Sequence, residues 1–315
     1  MANNGLILIS GSYDTGINNG VTNDNSDASH NYGSSAGMAK LKEAKWSSQH
    51  TIFNNGKIYV GGYNNSGILL ESIYDDTVTN NENITIDKAY NLFNNPDNSV
   101  NFSNAVAESN AGIRVQSYST TDTAAGENIV GINKGTININ NGSGNVGIYA
   151  FDVHSGNIPS STGHYIEGDN TNVISINGGS NVGMMAQDDS GATTNFKAII
   201  KNSGTINVGG NSSIGLLGLA YREDVITGAP KVNEFGGKPG EGTTSIVNKG
   251  NVTLDGTTSY GIYVKNNNSA GTKAGAIGTN TGNGVLTLSG DKSIGMIGDK
   301  ATLTNDTNAK INMTG

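Results

Sequence analysis

Alternating apolar and polar positions, broken by short Gly/Asn/Ser stretches, recur along this chain. The clearest copy is 204–218, GTINVGGNSSIGLLG, in which Ile206 and Val208 alternate with Thr205 and Asn207 before a polar turn and a second apolar run. Side chains on a strand point alternately to its two faces, so this spacing predicts two short strands joined by a turn. The same arrangement returns around Ile58 and Val60, Ile137 and Ile139, Ile174 and Ile176, Val252 and Leu254, and Leu286 and Leu288, and a further copy begins at Ile311 and Met313. Counted from the opening position to the second glycine, each complete copy spans 11 residues, except for 12 in the copy at 135–150. Such regularity marks a repeat architecture.

No single copy buries so few apolar residues by itself. Stacking the copies with strands about 4.8 Å apart turns like positions into columns around one core. Each coil then sequesters four or five aliphatic side chains, at about 1.5–3 kcal/mol each. From Gly135 the copies start 37, 32, 46, 34 and 25 residues apart, which fits one coil each with inserted loops. No helical-period segment lies between them, which excludes leucine-rich and helical solenoids. The predicted fold is all-β, a right-handed parallel β-helix with loop insertions. Asn133, Asn202 and Asn248 each stand two residues before a strand-opening glycine, a spacing that suits a hydrogen-bonded asparagine ladder from coil to coil.

Residues 51–128 carry degenerate copies and 129–315 regular ones, with the last copy expected to continue beyond residue 315. Residues 1–50 read as an N-terminal cap. Within them 34–46 (SSAGMAKLKEAKW) has Met38, Leu41 and Ala44 at helical spacing after serine, predicting a short helix over the end of the stack. The longer spacers, 151–165, 187–196, 219–245 and 265–274, all follow the second strand of a copy. Insertions at one point of a repeat decorate one side of a solenoid, often its binding side.

Composition narrows the function. Only 34% of residues are apolar, yet they gather in the alternating runs, and 46 glycines serve the turns of a folded solenoid. A net charge of −8 argues against nucleic-acid partners and anionic membranes. The longest early apolar run, Leu6 to Ile9, is far too short for a membrane span or signal core. With no cysteine there is neither a disulfide nor a thiolate metal site.

Several short matches have plainer explanations. Gly142, Gly144 and Gly147 fit a dinucleotide fingerprint but lie between strands and open no helix. Ser35 between Gly33 and Gly37 has nucleophile-elbow spacing, and Ser190 in Asp-Ser-Gly evokes a protease nucleophile, but neither has supporting neighbours. Asp24 and Asp27 lack a calcium-loop pattern, and Asp152, His154 and His164 lack zinc-ligand spacing. The sequon at Asn83 follows from the Asn/Thr-rich composition. Outward strand positions hold mostly Asn, Thr, Ser and Lys, with no recurring carboxylate pair for acid–base chemistry. No catalytic residue, metal or cofactor is expected.

The strongest recognition candidate is the insertion 219–242, which concentrates Tyr221, Arg222, Glu223, Asp224, Lys231, Glu234, Phe235 and Lys238 in a chain otherwise poor in charge and aromatics. Tyr and Arg anchor many interfaces. The competing expectation is a loop folded back on the coil, with Phe235 covering apolar surface. Phe151, His154 and Tyr165 form a second candidate group.

The segments NKGTININNGSGNVGIYA (133–150) and KNSGTINVGGNSSIGLLG (201–218) resemble passenger domains of large type V autotransporter adhesins, those of fusobacteria above all, and the resemblance covers roughly 50–315. It implies export through an outer-membrane β-barrel, a monomeric passenger tethered at the bacterial cell surface, and adhesion to host cells or other bacteria through a glycan or protein receptor. A β-helical carbohydrate-active enzyme and a phage tailspike-like fibre are the alternatives; trimerisation in solution would mark the fibre.

Overall fold

The computed structural model describes residues 2–9, 15–18, 35–40, 51–60, 65–72, 75–87, 110–119, 128–154, 165–188, 197–220, 243–266 and 275–314. Its strands form three sheets, A, B and C, each of nine parallel strands. In most coils the chain passes through one strand of each in turn, making a parallel β-helix. One coil runs Tyr165–Asn170 in sheet A, Val173–Ile176 in sheet B and Val182–Asp188 in sheet C; the next runs Lys197–Asn202, Thr205–Val208 and Ile214–Ala220.

The two strands predicted per copy are those of sheets B and C. Sheet B stacks Ile137 on Ile174, Ile206, Val252 and Leu286, while sheet C stacks Ile148 on Met184, Leu216 and Ile262. All of these side chains are buried in one continuous core that runs through the stack.

Sheet A is a third strand per coil that the alternation conceals. Its inward positions include Gly131, Gly168 and Gly278, facing large residues of sheet C. A Cβ on Gly168 would come within 2.6 Å of Ile148 Cγ2, and one on Gly131 within 2.7 Å of Val115 Cγ1. Where sheet A carries the large Ile246, sheet C supplies Gly218, whose added Cβ would meet Ile246 Cδ1 at 3.0 Å. The core fills by trading bulk between facing sheets. Each spacer therefore begins as strand: Phe151 to His154 continue a sheet C strand, and Tyr165 opens the next sheet A strand.

The predicted helix over 34–46 is corrected. Residues 35–40 are a sheet C strand in register with Asn65 to Leu70, Met38 opposite Ile68. Gly37 then takes the place of the strand-opening Gly67, so a repeat position overrides the helical spacing, as tertiary context commonly does. Residues 41–46 lie outside the described residues. Strands Ala2–Asn3 and Leu6–Ile9 join sheets A and B, so the described part of 1–50 belongs to the stack.

The asparagine ladder is present and longer than expected. The last residue of successive sheet A strands is Asn54, Asn80, Asn133, Asn170, Asn202, Asn248, Asn280 and Asn305. Each of the first seven donates Nδ2–H to Oδ1 of the next, at 2.7–2.9 Å. These seven donors are buried, and the amides point the same way along the stack, so each satisfies its neighbour. A second polar column enters sheet C: the N–H of Asn110 donates to Asn145 Oδ1 (3.0 Å), that of Asn145 to Asn181 Oδ1 (2.9 Å) and that of Asn181 to Ser213 Oγ (3.3 Å). The turn before this column needs a left-handed residue. Gly144 fills it at φ 66°, but Ser180, Ser212, Thr258 and Lys292 fill it at 56–58°.

Candidate binding face

The three sheets present different outer faces. Turns from sheet A to sheet B are tight: two residues join Asn170 to Val173 and Asn202 to Thr205. Extra length lies in the connections from sheet C to sheet A, at 120–127, 155–164, 189–196, 221–242 and 267–274, and in one from sheet B to sheet C, at 88–109, all outside the described residues. Most of the insertions therefore leave from the side of the rod where sheet C meets sheet A.

Tyr221, Arg222, Glu223, Asp224, Lys231, Glu234, Phe235 and Lys238 lie outside the described residues. The segment that holds them leaves from Ala220, the end of a sheet C strand. It returns at Thr243, whose N–H donates to Asp188 Oδ2 at 2.6 Å. Asp188 ends the preceding sheet C strand and is buried, so both ends of the insertion are pinned to one edge of sheet C.

Phe151, His154 and Tyr165 are set apart. Phe151 is 2% exposed on the outer side of sheet C, its ring stacked on Tyr149 at 5.3 Å between centroids. Tyr165 is half-buried at the start of a sheet A strand, in register with Asn128 and Lys197. His154 ends the strand that holds Phe151 and is in register with Ser119. Their neighbourhood in sequence becomes two sheets in space.

Around Phe151 the structure builds a second apolar cluster that the sequence reading did not single out. Val146, Tyr149, Phe151, Val182, Met185, Ile214, Leu217 and Leu219 pack on the outer face of sheet C, each at most 4% exposed. Tyr149 donates its hydroxyl to Gln187 Oε1 at 2.7 Å and lies under the Arg114 guanidinium, 5.6 Å from ring centroid to Cζ. The available signal was the unbroken apolar run in IGLLGLA and VGMMA, where sheet B strands alternate.

Sheet A brings together a charged group that was also missed. Glu167 and Asp169 stand two residues apart on its outer face, and Lys201 is in register with Asp169. Lys201 Nζ lies 2.7 Å from Glu167 Oε2. Burial, reinforced by the Glu167 charge, raises the Asp169 carboxyl above its ordinary value, against the pull of Lys201 and Lys134. The signal was Glu-x-Asp in a strand whose intervening residue is glycine.

The other short matches resolve into structure where they are described. Gly142 O accepts from Asn181 Nδ2 at 3.1 Å and Gly144 N–H donates to Ser180 O at 3.0 Å, so this glycine turn spends those groups on the next coil. Ser35 opens a strand in register with Asn65. Asp152 is buried on a sheet C strand, while Asp24, Asp27, Ser190 and His164 lie outside the described residues. Among the described residues no three His, Cys, Asp or Glu side chains group as metal ligands. No helix among them is long and apolar enough to cross a membrane.

Comparison of the chain with protein-family models, with curated proteins and with solved structures returned no match.

Proposed function

We propose that this chain is a surface-displayed adhesin segment: a β-helical rod from an autotransporter passenger, held at the bacterial outer membrane by a β-barrel. The rod supplies reach and stiffness, and the insertions on its sheet C side meet a protein or glycan receptor on host cells or other bacteria. The observation that carries this reading is the uninterrupted stack of nine strands per sheet, locked by an asparagine ladder from Asn54 to Asn305, with inserted length repeatedly on one side. Many of its outward sheet B residues, among them Thr136, Asn138, Ser175, Asn207 and Thr253, are short and uncharged, which suits a spacer. The passenger resemblance of 133–150 and 201–218 supplies the setting.

The test is binding of purified 1–315 to epithelial cells and partner bacteria, beside a variant with 221–242 replaced by a short Gly/Ser link. Saturable binding by the intact chain that is lost in the folded variant supports recognition through the insertion. No binding by the intact chain leaves the segment as a spacer. A glycan-degrading activity in the same preparation would overturn the reading.

A further inference from the structure

Asparagine followed by glycine is a pair with chemistry of its own, because a glycine nitrogen has no Cβ beside it to crowd an approaching side-chain carbonyl. Four such pairs lie among the described residues, at Asn55, Asn141, Asn177 and Asn283, and a fifth, at Asn19, lies outside them. The fold treats the four differently. Asn55 donates to Asn4 Oδ1 at 3.2 Å and accepts from Asn81 Nδ2 at 2.7 Å, while the Gly56 N–H donates to Asn54 Oδ1 at 3.4 Å. Asn141 Nδ2 donates to Asp87 Oδ1 at 2.8 Å. After Asn283 the Gly284 N–H donates to Thr281 O at 3.0 Å.

Asn177 is held in none of these ways. It is exposed in the turn from sheet B to sheet C, and among the described residues nothing bonds its side chain or the Gly178 N–H. Its main chain is fixed, the N–H donating to Ile139 O at 2.7 Å, and Gly178 stands at φ 108°. Its Oδ1 lies over Gly209 of the next coil, 3.2 Å from where a Cβ on that glycine would be. We propose that Asn177 is a site of spontaneous deamidation, with the main-chain nitrogen of Gly178 as the nucleophile. That nitrogen gives its proton to solvent base and bonds to Asn177 Cγ, and the bond from Cγ to Nδ2 breaks to release ammonia. Water then opens the cyclic imide at either carbonyl, leaving aspartate or isoaspartate at 177. Either product sets a negative charge beside Asp255, whose Oδ1 lies 3.4 Å from the same point over Gly209. The isoaspartyl product also lengthens the main chain between sheets B and C. None of this depends on adhesion.

The test follows purified 1–315, folded at mildly alkaline pH, by peptide mass spectrometry over time, with fragmentation that separates aspartate from isoaspartate. Asn177 is expected to convert at least about tenfold faster than Asn141, which must first break its hydrogen bond to the Asp87 carboxylate. Asn55 and Asn283 should lag as well. Both products should form, and the rate should rise with pH as the Gly178 nitrogen loses its proton. In urea the four rates should draw together, since only the fold sets them apart. Conversion at Asn177 no faster than at Asn141 in the folded chain overturns the proposal. So does aspartate as the sole product, which direct hydrolysis by water would give. The same rate order in urea would also overturn it, assigning the effect to the Gly-Gly that follows Asn177 and not to the turn.

Discussion

Sheets B and C share most coils, yet their outer faces are opposites. On strand Thr205–Val208 burial alternates cleanly: Ile206 and Val208 are buried and Asn207 is exposed. Six residues later strand Ile214–Ala220 is buried at all its positions, with Leu216 in the main core and Leu217 in the outer cluster. A parallel strand covered on both faces reads as a continuous apolar run, and one with an open face alternates. The contrast teaches that solvent-facing and covered sides of a solenoid are written in the repeat itself. GTINV announces an open face, and IGLLGLA one that has to be covered.

The largest effects come from truncating adjacent residues on the two strands. Ile206→Ala, Leu216→Ala and Leu217→Ala should each cost about 2–5 kcal/mol in urea unfolding, the range for buried aliphatic truncation. Asn207→Ala should fall within about 0.5 kcal/mol, as surface changes do. If Leu217→Ala behaves like Asn207→Ala, the two faces do not differ as described.

Next in size is the ladder, which supports both sheets from the turn between A and B. Asn202 accepts from Asn170 at 2.9 Å and donates to Asn248 at 2.8 Å, 1% exposed. Asn202→Ala strands one donor and one acceptor in the interior, at about 1–3 kcal/mol each. The same unfolding assay should show a loss close to that of Ile206→Ala despite the polar nature of the change.

Smallest are the charges on sheet A. Lys201 is half exposed, so Lys201→Ala should lower stability by less than about 1 kcal/mol. Asp169 holds its proton more tightly folded than unfolded, because burial raises its carboxyl above 3.8. Its favourable contribution is present below that value and fades as pH rises through the raised folded value. Thermal midpoints measured across the acidic range should fall with pH more steeply for the parent than for Asp169→Asn; equal slopes would remove the effect.

Much of the stack was legible in the sequence, because columns of identical function demand identical residues. Ile137, Ile174 and Ile206 recur at one position, and Asn133, Asn202 and Asn248 marked the ladder. Sheet A was hidden for a physical reason. Its inward glycines at 131, 168 and 278 make room for Ile113, Ile148 and Val264, so its strands lack apolar alternation. Met38 misled because its helical spacing rested on Leu41 and Ala44, which lie outside the described residues, while the pairing with Ile68 sets 35–40 in a strand. The recognition candidates were less legible. Phe151 looked like a free aromatic in a loop, but the strand extends through it and lays its ring on Tyr149. The eight residues of 221–242 were chosen on composition and lie outside the described residues.

The proposed rod depends on an in-register stack, and the sheet B column measures it. Tyr59, Thr85, Asn138, Ser175, Asn207, Thr253, Thr287 and Asn312 are successive register partners on the outer face. Spin labels placed in pairs at Tyr59 with Asn312 and at Asn138 with Asn312 should give narrow electron–electron distance distributions. The centres should lie near 34 Å and 24 Å, about 4.8 Å for each coil between them. Broad distributions, or distances that do not scale with the number of coils, would contradict the rod on which the proposed function depends.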